Sequence, residues 1–128
     1  MKKTLEIFGY VFILIGILGF IPALTPDGLL LGLFMVNGVH NVVHILSGAL
    51  AIYFAKQTDK QASLFAYVFA AVYALVTLLG FTTGTLFGLM GLNPADNWLH
   101  VVFTLVFIYI GYSLQQKSEI NLNDQVVV

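Results

Sequence analysis

The chain has 128 residues, 59% hydrophobic and only 9% charged, with a net charge of −1 and a mean hydropathy of +0.96. A water-soluble domain carries about 25% charged residues, so this composition excludes a soluble enzyme and fits an integral membrane chain. Five lysines without an arginine make no nucleic-acid surface, and with no cysteine there are no disulfides or thiolate ligands.

Met1-Lys2-Lys3 opens the first apolar run, Leu5–Leu24, which matches a helical span of about 20 residues. The run is long for a signal-peptide core and Ile21-Pro22-Ala23 is a poor cleavage site, so a retained span is expected. Gly28–Val36 follows, apolar but too short to cross. Such segments lie in the interface or dip back into the membrane; the alternative is a loosely defined helix end. Next comes a polar octet, Asn37-Gly38-Val39-His40-Asn41-Val42-Val43-His44, opening a second span, Gly38–Ala55.

Lys56 and Lys60 separate this span from a third, Ala62–Gly80. Ala62, Ala66, Ala70 and Ala74 form a small-residue stripe there, and Gly9, Gly16 and Gly19 offer close approach on the first span. Gly84–Leu92 is a second short apolar segment, followed by the octet Asn93-Pro94-Ala95-Asp96-Asn97-Trp98-Leu99-His100 and a fourth span, Trp98–Tyr112. Trp98 reads as an outer interface anchor and Tyr10, Tyr53, Tyr67, Tyr109 and Tyr112 as an inner aromatic belt. Tyr73 falls near the midplane, where its hydroxyl needs a partner. Glu6, Asp59, Glu119 and Asp124 read as solvated flanks.

The two halves repeat at a spacing of 56 residues: Asn37 aligns with Asn93, His40 with Asp96, Asn41 with Asn97 and His44 with His100. The expected fold is therefore an all-α integral membrane four-helix bundle of two tandem helix-hairpin repeats, 1–56 and 57–112. The transmembrane domain covers 1–116, and 117–128 is expected as a flexible cytoplasmic tail. All five lysines fall on one side of four spans, which places the N and C termini in the cytoplasm. Both octets then sit at the outer ends of helices two and four, in a bacterial cytoplasmic membrane.

At 100° per residue, with His40 at zero, His44 lies at about 40°, Asn37 at about 60° and Asn41 at about 100°. Ser47, Gly48, Ala51 and Ala55 continue this inward sector, while Val42, Leu46, Ala49, Leu50 and Tyr53 face away. Helix four repeats the arrangement with Asp96, His100, Asn93 and Asn97. His40/His44 and Asp96/His100 are i, i+4 pairs, the spacing at which one helical turn offers two metal ligands. His40, His44, Asp96 and His100 are thus the candidate ligands of a divalent metal, zinc first, with Asn37, Asn41, Asn93 and Asn97 supporting them. If Asp96 stands back, a fourth position is left for water.

Simpler roles exist for several of these residues. Asn93-Pro94-Ala95-Asp96 is a good helix start, and Asn37 could cap helix two in the same way. His44 and His100 lie about 10 Å inside their helices, where no cap needs them. They suit either a metal site or an interhelical hydrogen-bond network, and as a pseudo-twofold pair they could also be axial ligands of haem.

The motif His40-Asn41-x-x-His44-x-x-x-Gly48, with Asn93-x-Ala95-Asp96-Asn97-Trp98-Leu99-His100, resembles the small bacterial membrane proteins of the domain-of-unknown-function 4383 family. The resemblance implies a four-helix membrane fold with His40, Asn41, His44, Asp96, Asn97 and His100 as its characteristic polar positions, and it implies no activity. The chain departs from that pattern in Val101–Ile110, which lacks glycine.

Three functions are consistent with these residues. One is a membrane metalloprotein, structural or hydrolytic, with Asp96 as base and a lipid-like substrate. Another is a non-enzymatic bundle, a homo-oligomer or docking module for a larger membrane partner. The third is a haem electron-transfer protein.

Overall fold

The computed structural model describes residues 1–126. Four helices account for most of the chain: α1 (Lys2–Leu18), α2 (Gly38–Ala55), α3 (Asp59–Thr83) and α4 (Pro94–Val126). α2, α3 and α4 are long and apolar enough to cross a membrane. α1 has 17 residues, about 25 Å, a little short of a hydrocarbon core of about 30 Å.

The first apolar run does not stay helical to Leu24. Pro22 has no amide hydrogen and biases Ile21 toward extended backbone; Ile21 sits at φ −91°, ψ 111° and a short 3-10 turn, Pro22–Leu24, follows. The tail also differs from expectation, because α4 continues as helix through Val126. Beyond Gly111 nothing in 112–126 breaks a helix, and Gln115 Nε2 donates to Glu119 Oε1 one turn on at 3.0 Å. Residues 127–128 of that tail lie outside the described residues.

The short apolar segments are neither frayed helix ends nor re-entrant helices. Each is a β-hairpin, with β1 (Leu29–Leu30) antiparallel to β2 (Phe34–Met35) and β3 (Thr85–Leu86) antiparallel to β4 (Met90–Gly91). Three residues connect the strands of each hairpin, 31–33 and 87–89, and the first two of each, Leu31 and Gly32 and likewise Phe87 and Gly88, sit at positive φ. For Leu31 and Phe87 that conformation costs about 1–2 kcal/mol each. Both side chains stand out at the hairpin tips, 69% and 73% exposed.

α1 packs chiefly on α2 and α3 chiefly on α4, with sparser contact between the pairs. Gly9 and Gly48 let the first pair approach closely: a Cβ on Gly9 would lie 2.7 Å from the Gly48 carbonyl oxygen. On α3, Ala62, Ala66 and Ala70 are buried, but Ala74 is exposed and Tyr73 turns inward instead. Phe12, Phe69, Tyr73, Phe103 and Phe107 join the two pairs in one aromatic core. The outward face of α2 (Val42, Leu46, Leu50, Tyr53) is exposed as expected, alongside Leu64, Val68 and Leu105 on the other helices.

At the end that carries the lysines, Asp59 is not a solvated flank. Its carboxylate lies 3.6 Å from Lys2 Nζ and 3.1 Å from Lys117 Nζ, with 13% of the side chain exposed. Lys2 also donates to the Gln57 carbonyl at 2.8 Å. The ends of α1 and α3 therefore meet the Lys117 turn of α4.

Candidate metal centre

Each octet begins with an asparagine cap. Asn37 Oδ1 accepts from His40 N at 2.8 Å and Asn93 Oδ1 from Asp96 N at 2.9 Å, which satisfies amides that a helix start leaves unpaired. The same two side chains reach across the molecule. Asn37 Nδ2 donates to the Leu89 carbonyl in the second hairpin at 3.0 Å; Asn93 Nδ2 donates to the Leu33 carbonyl in the first at 2.8 Å. Both asparagines thus cap a helix and strap down the opposite hairpin.

Below the caps, His40, His44 and His100 converge, 3–5% exposed. Each offers a ring nitrogen within 4.8 Å of those of the other two. His40 Nε2 and His44 Nε2 are 3.1 Å apart; two nitrogens on one tetrahedral zinc at 2.0–2.1 Å stand about 3.4 Å apart. The Nδ1 atoms of all three rings are buried without a hydrogen-bond partner. Phe12 lies 5.3 Å from His44 and Tyr73 5.3 Å from His100, centroid to centroid, so aromatic walls hold the imidazoles. Thr104 Oγ1 donates to the His100 carbonyl at 2.8 Å.

Asp96 is buried near these rings but does not belong to the converging trio. Its Oδ2 accepts from Asn93 N at 3.0 Å and from Met35 N at 3.1 Å. With Asn93 it completes a capping box, and it ties β2 to the start of α4. Asn41 and Asn97 make no hydrogen bond to an imidazole among the described residues. Asn41 instead presses its carboxamide onto Gly19, the residue that caps α1, and Asn97 presses onto Gly80 of α3. The support expected from the four asparagines is therefore exerted on helix ends and helix contacts.

Two cavities flank the trio. One, about 210 Å³, lies under the first hairpin and is lined by Ile15, Leu18, Leu30, Phe34 and Leu99, with the three histidines and Asp96 as its polar lining. The other, about 90 Å³, lies under the second hairpin and includes Ser47, Tyr73, Leu86 and Met90. Leu30 and Phe34 are separated from Leu86 and Met90 by the same 56 residues as the octets. Only the matched Gly32 and Gly88 hinted at hairpins lidding the site, because short apolar runs carry no periodicity that separates strand from interfacial helix.

Three helices long and apolar enough to cross a membrane, around a buried histidine trio that could hold a metal and is lidded by two hairpins, define a small helical protein of membrane-like composition. The chain belongs to the family described as Domain of unknown function (DUF4383), whose family model matches residues 2–113. Neither curated proteins nor solved structures gave a match.

Proposed function

We propose that this protein is a membrane metalloprotein that holds one divalent ion, zinc by preference, on His40, His44 and His100, in a structural or hydrolytic role. The observation that carries this reading is the convergence of three buried imidazoles from two helices onto one point. Three histidines with a fourth position free is a donor set that catalytic zinc uses. A bound ion would supply Lewis acidity. The chain's own groups supply the rest: Asp96 lines the adjoining cavity as a carboxylate held by two amides, and Phe12 and Tyr73 pack against the rings of His44 and His100.

The reading extends to topology and assembly. The 56-residue register recurs in the caps, straps, hairpins and cavity linings, which supports two tandem repeats. Clustering of Lys2 and Lys117 on Asp59, with the positive-inside bias, supports cytoplasmic termini in a bacterial inner membrane. The centre would then face the extracytoplasmic side, within one chain or within a homo-oligomer.

A second reading, a hydrogen-bond network that stitches the helices of a non-enzymatic docking module, draws on the 3.1 Å His40–His44 contact. The unpartnered Nδ1 atoms do not separate the two readings, because an ion held on the Nε2 atoms of His40 and His44 leaves their Nδ1 atoms in the same state. The haem reading is weaker, because His40 shares the small space in which a macrocycle between His44 and His100 would have to lie.

The test is metal analysis of protein purified without a polyhistidine tag. One equivalent of metal, lost in His44→Ala and His100→Ala while the fold persists, is the expected result. Wild-type protein that neither retains nor takes up zinc would end this reading and leave the network; a Soret band would favour haem.

A further inference from the structure

We propose, resting on the metal reading above, that the centre takes an amphiphile with an anionic head and an aliphatic chain, admitted from the bilayer between α1 and α4. Cavity shape is the first ground. The cavity of about 210 Å³ under the first hairpin is walled by Ile15 and Leu18 from α1, Leu99 from α4, and Leu30 and Phe34 from the hairpin. Its polar side chains are the three histidines and Asp96. A dry apolar cavity of about 150 Å³ already accepts benzene, so this one has room for the first carbons of a chain. The cavity of about 90 Å³ on the other side of the histidines does not.

Charge is the second ground. Imidazole ligands are neutral when they bind metal, so three of them leave a divalent ion with two uncompensated positive charges in an apolar interior, which is expensive. Asp96, on the wall of the same cavity, offsets one. A single anionic head offsets the other and fills the open position. Access is the third ground. α1 and α4 touch only sparsely, and the residues they present to the cavity, Ile15, Leu18 and Leu99, are apolar, so the route leads to lipid rather than to water.

The experiment uses full-length protein in nanodiscs, loaded with cobalt(II), whose visible spectrum reports a new ligand. Acetohydroxamate and octanohydroxamate share a metal-binding head and differ in chain, and each is titrated with its concentration counted in the lipid phase. At least tenfold tighter binding of octanohydroxamate is expected. Leu99→Trp and, from the opposite wall, Ile15→Trp should each erase that preference while cobalt stoichiometry and the acetohydroxamate response persist. Equal affinities in the wild type, or a preference that survives both tryptophans, overturn the proposal with the metal site intact. Failure to bind cobalt at all removes the metal reading and this one together.

Discussion

Asn37, at the start of α2, donates its side-chain amide to the Leu89 carbonyl 3.0 Å away in the second hairpin. Shifted by 56 residues, the pair becomes Asn93 and Leu33, which are bonded at 2.8 Å. The hairpins are therefore exchanged: each octet holds the lid that precedes the other. This crossing fastens the two halves at the end where the histidines meet.

The strap and the cap can be separated. Asn37→Ser and Asn93→Ser keep a capping oxygen but lose the donor to the hairpin carbonyl. Each is expected to cost about 1 kcal/mol, while Asn→Ala at either site loses the cap as well and should cost about 2 kcal/mol. Denaturant titration in detergent, followed by circular dichroism, measures the difference. Equal losses for Ser and Ala would mean the strap contributes nothing.

Asp96 distinguishes a ligand from a helix-end anchor. Asp96→Asn retains an oxygen that can accept from Asn93 N or Met35 N, so the hairpin should remain in place and metal stoichiometry should stay at one. Asp96→Ala abandons both charge-assisted bonds, and a loss of about 2–3 kcal/mol is expected. Isothermal titration with zinc alongside the unfolding measurement tests both. Loss of zinc in Asp96→Asn with unchanged stability would make the carboxylate a direct ligand.

Close helix contact rests on missing side chains. A Cβ on Gly9 would stand 2.6 Å from Ile52 Cγ1, and one on Gly48 would meet the Gly9 carbonyl. Both atoms belong to the packed α1–α2 seam, so Gly9→Ala and Gly48→Ala should each cost about 1–3 kcal/mol. Gly32→Ala, with open space around it but φ +70°, should cost about 1 kcal/mol through backbone strain alone. Unfolding midpoints of the three variants check the ranking.

The lysine end should matter less. Lys117 is 63% exposed, and exposed pairs contribute about 0.2–1 kcal/mol. Lys117→Met is expected to cost less than about 1 kcal/mol at low salt and nothing measurable at high salt. A salt-independent loss would point to packing of the lysine stem instead.

Orientation is open to a clean chemical test because the chain has no cysteine. Gln116→Cys should be shielded from a membrane-impermeant maleimide added to intact cells, and Leu31→Cys, at the first hairpin tip, should react. The reverse pattern would invert the topology and put the histidines on the cytoplasmic side.

The sequence alone determined a good deal. Composition pointed to a membrane, apolar length set α2 to its residue bounds, and helical period assigned its inward face, since His40, Asn41, His44, Ser47, Gly48, Ala51 and Ala55 are the residues buried there. These properties are local or additive along the chain, which is why they could be read without coordinates. Tertiary structure decided which polar groups meet. Asp96 and His40 hold equivalent places in the repeat, yet Asp96 is drawn to the free amides of Met35 and Asn93 while His40 turns to His44. A carboxylate only accepts hydrogen bonds, whereas an imidazole can pair with another imidazole, and which partners are in reach depends on hairpins folded from the other half of the chain.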